Sequence, residues 1–291
     1  MIIVTGATGQ LGRAIVEQLV TRAPASGLAV SVRDPAKAVD LGALGVRVRH
    51  GDFAAPDSLA HAFEGATQVL IVSSNARAQG GDTLAQHRAA IAAAVAAGAR
   101  RIVYTSHMGA SGTSKFAPML DHAATEDMLR ASGTAWTALR NGFYASSGVQ
   151  LMGDALTTGV IEAPADGKVS WTTHADLAEA AAILLADEGR FNGPTPPLTG
   201  AQALDLADMA VIMSEVLGRA MRREVLSDED LRARMAARGA PGAAADMVLG
   251  LYRASRDGEF AAVDATLEGL LGRRPVEMRE VIGERVGGIE A

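Results

Sequence analysis

The chain has 291 residues, a mass of 29.9 kDa and 27 basic against 33 acidic side chains, for a formal net charge of -6. That length allows one large buried core with a smaller appended region, and the scattered, net acidic charge offers no stripe for nucleic acid. Without cysteine, disulfides, thiolate metal sites and cysteine nucleophiles are excluded; with no basic region at the start and no apolar run of about 18 residues, a cytoplasmic protein with no membrane partner is expected.

In chain order, short β-branched runs alternate with alanine-rich segments. IIVT at 2–5, LAVSV at 28–32, VRVRHGD at 46–52, QVLIVSS at 68–74, RIVYTS at 101–106 and WTALR at 136–140 read as strands. Leu11, Ile15, Leu19 and Val20 give the segment after the first strand one apolar stripe, and TLAQHRAAIAAAVAAG at 83–98 reads as a small-residue helix stopped by Gly98. This alternation predicts an α/β fold, a doubly wound parallel sheet with crossover helices. After Asn141 the pattern loosens. Residues 149–168 mix a helix-like start with turn residues, 173–189 return to a clear helix, and the tail from Leu206 is mostly helical with breaks at Gly239, Pro241 and Gly258.

The stretch VTGATGQLGR at 4–13 spaces Gly6, Gly9 and Gly12 by three residues directly behind the first strand. A strand, a glycine turn and a helix start together let main-chain N–H groups close on a pyrophosphate, so Gly6, Thr8, Gly9, Gln10, Leu11 and Gly12 are candidates for binding a dinucleotide. The end of the second strand then decides which one. A free ribose is met by an acid, a 2′-phosphate by a guanidinium. Arg33 and, one turn on, Lys37 favour NADP(H) over NAD(H); Asp34, one residue away, would serve the free ribose instead. Asp52 and Phe53 after the third strand could border the adenine or simply form a turn. Ser73, Ser74, Thr105 and Ser106 end the fourth and fifth strands, on the edge where open α/β sheets bind ligands. Residues 1–148 are thus expected to form a Rossmann-like NADP-binding domain to which 169–189 returns, with 149–168 and 190–291 as a smaller, mainly helical substrate-binding region.

TGATGQLG at 5–12, VRDPAKA at 32–38, RHGDF at 49–53, YTS at 104–106, HAATE at 122–126 and LRNGFY at 139–144 resemble the NmrA-like branch of the atypical short-chain dehydrogenases, near its type 2 quinone oxidoreductases and triphenylmethane reductases. The ordinary short-chain dehydrogenase pairs a Tyr with a Lys four residues on. None of Tyr104, Tyr144 and Tyr252 has that lysine, and the corresponding helix carries His122 and Glu126 at that spacing. Glu126 could accept from the cofactor and favour a protonated His122, which could donate a proton; the alternative is that the two decorate an exposed helix start. His107 is a second donor candidate.

The missing pair bears on substrate class. Reducing an ordinary ketone develops a localised alkoxide, whereas hydride addition to a quinone gives a delocalised phenolate and addition to a cationic dye a neutral product. Asn141, Phe143 and Tyr144, with His107, are candidates for contacting a flat aromatic or quinone-like substrate, Tyr144 standing also with His122 and Glu126 as a catalytic candidate, and packing between the sheet and the C-terminal region is the other reading of the two aromatics. The resemblance implies an NADPH-dependent oxidoreductase acting without flavin, or alternatively a non-catalytic NADP(H)-sensing regulator. No histidine spacing suggests a metal, and a homodimer is allowed.

Overall fold

The computed structural model describes residues 1–290, with side chains to residue 286. In chain order the first part runs β1 (Ile2–Thr5), α1 (Gln10–Val20), β2 (Leu28–Val32), α2 (Val39–Ala43), β3 (Arg47–His50), α3 (Asp57–Ala62), β4 (Gln68–Ile71), α4 (Thr83–Ala96), β5 (Arg101–His107), α5 (Ala117–Ala131) and β6 (Ala135–Asn141). There follow β7 (Phe143–Tyr144), α6 (Ala145–Leu151), α7 (Ala155–Thr158), β8 (Val160–Pro164), β9 (Trp171–Thr172), α8 (His174–Ala186) and β10 (Gly193–Pro194). The last part is α9 (Leu206–Leu217), β11 (Arg222–Leu226), α10 (Asp228–Ala237), α11 (Gly242–Arg256), α12 (Thr266–Leu271) and α13 (Met278–Glu290).

The chain divides into two compact units. One comprises Met1–Gly112, Leu120–Asn141 and His174–Pro196; the other comprises Thr113–Met119, Gly142–Thr173 and Pro197–Ala291. The first holds a seven-stranded sheet in the order β10-β6-β5-β4-β1-β2-β3, with every pairing parallel. Strands buried on both faces account for the unbroken apolar runs: β2 and β4 are buried at every residue. Because the chain passes from β3 at one edge back to β4 beside β1, strand order reverses between β1 and β4. That reversal leaves a crevice at the carboxyl ends, the place where such sheets take ligands.

The helices follow local chemistry. In α1, Leu11, Gly12, Ile15, Val16 and Leu19 are buried; Val16 occupies the stripe in place of the expected Val20. Asp82 caps α4 by accepting from the Ala85 N–H at 2.9 Å, and Gly98, at φ +76°, follows its end in the left-handed region. Thr83, His87, Ala90, Ile91 and Ala94 form the buried face of α4.

The second unit is mainly helical, and its core gathers Phe143, Trp171, Phe260, Met209, Met213 and Tyr252 among others. Its α10 and α11 are separated at Gly239 and Pro241, and Gly258 follows α11, where the sequence indicates breaks. Two features are absent from the sequence reading. Strands β8 and β11 pair in parallel from Arg222–Val160 to Leu226–Pro164, and the short β10 adds an edge strand whose proline is tolerated there. No described helix is long and apolar enough to cross a membrane.

Candidate functional site

The three glycines at the start of α1 do three different things. Gly6 adopts φ +63°, a left-handed turn that a side chain would strain. A Cβ on Gly12 would stand 2.4 Å from the Gly6 carbonyl oxygen and 2.8 Å from its carbon, so this position lets the helix lie on the turn. Gly9 is different: an added Cβ would meet only the Gly6 oxygen, at 3.4 Å, although the residue is the N-cap of α1. The protein does not need a bare backbone there. A ligand approaching the N–H groups of Gln10, Leu11 and Gly12 would need one, since the first turn has no intrahelical partners for them and no side chain caps it. Thr8, Gly9 and Gln10 are exposed around this opening, whereas Leu11 is buried beneath it.

At the end of β2, Arg33 and Asp34 are sorted by their hydrogen bonds. Asp34 caps the short turn at Pro35–Ala38, accepting from the Ala36 N–H at 3.1 Å. The Arg33 side chain is exposed; its backbone carbonyl meets the His50 ring, but no hydrogen bond of its guanidinium is present among the described residues. Lys37 is exposed one turn on, and its carbonyl accepts from Arg13, itself paired with Asp40. Asp52 turns its carboxylate back on the Ala54 N–H at 2.9 Å, and Phe53 packs partly against the sheet core.

The hydroxyls of Ser74, Thr105 and Ser106 at the ends of β4 and β5 are engaged within the protein. Thr105 Oγ1 accepts from the Ser73 N–H at 2.8 Å, and Ser106 Oγ donates to Glu126 at 2.6 Å. The Ser74 N–H donates to His87 Nε2 at 2.8 Å, which fixes the proton of that ring on Nδ1; Nδ1 donates to Thr125 Oγ1, and Thr125 donates to the Asp121 carbonyl. Burial pushes the His87 pKa down to about 4, in keeping with a neutral ring.

His122 and Glu126 share a face of α5 yet have different partners. Glu126 is buried and takes both arms of the Arg140 guanidinium, at 3.1 and 2.7 Å, besides Ser106. His122 Nδ1 lies 2.7 Å from the Tyr104 hydroxyl. The expectation that Glu126 keeps His122 charged is overturned: the carboxylate is tied to Arg140, and burial, with His87 opposing and Asp121 assisting protonation, brings the His122 pKa down to about 3. Asp121 in turn is held by both nitrogens of an Arg77 fork at 2.6 Å. Arg140, Arg77, His87 and Tyr104 were not singled out from sequence. A carboxylate on a helix face that packs on a sheet is the sequence signal for a cation opposite, since a buried charge has to be paired.

Asn141 ends β6 beside His107, which ends β5, in register with it. The Asn141 side chain is buried and its amide oxygen has no hydrogen-bond partner among the described residues. His107 Nδ1 accepts from the Gly109 N–H at 3.0 Å, and burial holds its pKa well below the ordinary value. In the second unit, Phe143 sits in an aromatic cluster with Trp171 at 5.5 Å, Phe260 at 5.2 Å and Phe116 at 6.0 Å between ring centroids, so its ring serves that core. Tyr144 is the N-cap of α6, and burial pushes its phenol up to about 12. No cluster that could hold a metal occurs among the described residues.

A model of the NAD(P)H-binding family matches residues 6–188. The chain is 36% identical over 283 residues to Quinone oxidoreductase 2 of Escherichia coli strain K12, covering 97% of each. Among solved structures it is similar to the NADPH-dependent quinone oxidoreductase of Escherichia coli complexed with NADPH, at a TM-score of 0.91 and 35% identity over 98% of this chain and 100% of that one. It is likewise similar to the Citrobacter sp. triphenylmethane reductase complexed with NADP(H), at a TM-score of 0.87 and 31% identity over 98% of this chain and 99% of that one.

Proposed function

The chain belongs to the NAD(P)H-binding family, and from that premise we propose that it is an oxidoreductase using NADPH to reduce quinones or similarly conjugated, electrophilic acceptors, with neither flavin nor metal. The observation that carries this reading is the opening at Gly9, a bare backbone at a helix N-terminus that internal packing does not require. The first unit is then the cofactor-binding domain, and the second supplies substrate specificity. Gly6, Thr8, Gly9, Gln10, Leu11 and Gly12 would hold the pyrophosphate through main-chain N–H groups, and Arg33 with Lys37 the 2′-phosphate, the occupied Asp34 carboxylate leaving that choice to the cations. When bound, the dinucleotide supplies a hydride.

The overall change is quinone + NADPH + H⁺ → hydroquinone + NADP⁺. Support for the acceptor class comes from the quinone and triphenylmethane reductases among the relatives and from the chemistry of this chain's own residues. Where a Tyr–Lys pair would deliver a proton, His122 is neutral and Glu126 is bound to a guanidinium. A hydride acceptor whose negative charge spreads over a ring tolerates such a site, and a simple ketone does not. Loss of NADPH absorbance with a panel of quinones, conjugated dyes and simple ketones tests the reading: turnover of the first two classes and not the third is expected. Intact NADPH binding with no turnover of any acceptor would instead support a cofactor-sensing regulator.

A further inference from the structure

The first unit contains a polar pair that the function proposed above does not use. Tyr104, in the middle of β5, is fully buried, and its hydroxyl lies 2.7 Å from Nδ1 of His122 on α5. His122 is only partly buried, and its Nε2 has no hydrogen-bond partner among the described residues while escaping full burial. One nitrogen of the ring is thus bonded within the core, and the other has no partner among the described residues.

The proton's location follows from chemistry. A neutral imidazole bears one N–H, and its bare nitrogen is a much stronger acceptor than a phenol oxygen. An O–H donating to Nδ1 is the better of the two arrangements, and it leaves the proton on Nε2. The groups facing His122 do not supply a charge to reverse this. His107, whose ring centroid is 6.0 Å away, and His87 on α4 are pushed toward their neutral forms, and the Asp121 carboxylate is held by Arg77.

We propose, resting on the quinone-reductase reading, that Tyr104 is a positioning residue that fixes His122 as its Nε2–H tautomer, so that His122 donates a neutral hydrogen bond to the acceptor oxygen on which charge develops. The chemistry balances without proton transfer from the enzyme. The acceptor takes two electrons and one hydrogen as hydride, its carbonyl oxygen becomes a phenolate stabilised by the Nε2–H, and the phenolate collects its proton from water. His122 keeps its proton throughout, as a neutral imidazole can when it acts as an electrophile. Since the charge is delocalised, the donor is worth less than one facing a localised oxyanion, for which losses of about 10²–10³ in kcat are usual.

Two measurements on the full-length protein test this. In nitrogen-detected NMR of the cofactor-free protein, the His122 ring is expected to show the Nε2–H pattern, and Tyr104→Phe to shift it toward a tautomer mixture. In steady-state assays with NADPH and a benzoquinone, Tyr104→Phe should lower kcat by about 5–20-fold and His122→Ala by about 10–100-fold, with KM for NADPH unchanged. His122→Gln, which retains an amide N–H near the Nε2 position, should recover part of that loss. Tyr104→Phe should have no further effect in the His122→Ala background, because it acts through that ring. An Nδ1–H pattern in the wild type, or a kcat for folded Tyr104→Phe within about twofold of wild type, overturns the inference while leaving the quinone reductase intact. Absence of wild-type turnover overturns the functional reading and the role of His122 with it.

Discussion

Replacing Gly9 and Gly12 separately tells a ligand-imposed glycine from a packing-imposed one. At Gly12 an alanine Cβ would sit 2.4 Å from a carbonyl oxygen of the backbone, which cannot move aside like a flexible side chain, so Gly12→Ala is expected to cost about 1–3 kcal/mol as an overpacking substitution. At Gly9 the backbone has φ -88° and ψ 164°, open to any residue, and the nearest atom to an added Cβ is 3.4 Å away. Gly9→Val should then cost no more than about 1 kcal/mol, the lost N-cap preference. Its side chain, however, would stand in front of the first-turn N–H groups. Losing one or two charge-assisted hydrogen bonds of about 1.5–3 kcal/mol each weakens NADPH by more than about tenfold. Thermal melting and calorimetric titration of both variants give the two readings. Equal melting losses for the two variants, or NADPH affinity in Gly9→Val close to wild type, would show that the pyrophosphate does not lie at this turn.

Arg33→Glu should weaken NADPH by about 1.5–3 kcal/mol in titrations and leave NADH little changed; a wild type that already prefers NADH would sink the assignment. Glu126→Gln leaves Arg140 facing a neutral amide, and because that guanidinium is 31% exposed the loss should be about 1–3 kcal/mol, below the range for a fully buried pair; an unaltered melting temperature with weakened NADPH would return Glu126 to the cofactor. His87 and His122 have folded pKa values of about 4 and about 3 against an ordinary 6.5, so their contribution is complete above about pH 6.5 and is lost as the pH falls. At about pH 4.5 each should have cost about 2–3 kcal/mol. A melting temperature unchanged between about pH 7 and about pH 5 would contradict two rings held neutral in the fold.

What could be read from the sequence is what is local in the chain. The glycine spacing at 6, 9 and 12, the alternation of strands with helices, and the stops at Gly98, Gly239 and Gly258 each depend on residues within a few positions of one another, and the structure has all of them. Pairings that cross the chain were missed. Strands β8 and β11 lie about sixty residues apart and carry no turn signal linking them, and β11 is largely exposed, so its pattern lacks an apolar face. Arg33 is favoured over Asp34 in sequence, although a slip of one residue reverses the two; the Asp34 cap on Ala36 engages one oxygen of that carboxylate, while Arg33 stays exposed. Phe143 as wall or core was undecided because an aromatic serves both, and its neighbours Trp171 and Phe260 come from distant segments.

The divergence of His122 and Glu126 has a geometric cause that connects sequence to chemistry. Tyr104 and Ser106 alternate to the same face of β5, and residues four apart on a helix share a face, so His122 and Glu126 on α5 meet that face with hydrogen bonds of 2.7 Å to Tyr104 and 2.6 Å to Ser106. Arg140 on the neighbouring β6, paired with Ser106 in strand register, adds its guanidinium to the Glu126 carboxylate and fixes it there. A glutamate so held cannot also lend charge to the histidine one turn earlier. The face that would carry a lysine-assisted tyrosine thus carries one neutral donor and one closed ion pair, and only acceptors that can delocalise the incoming charge suit it.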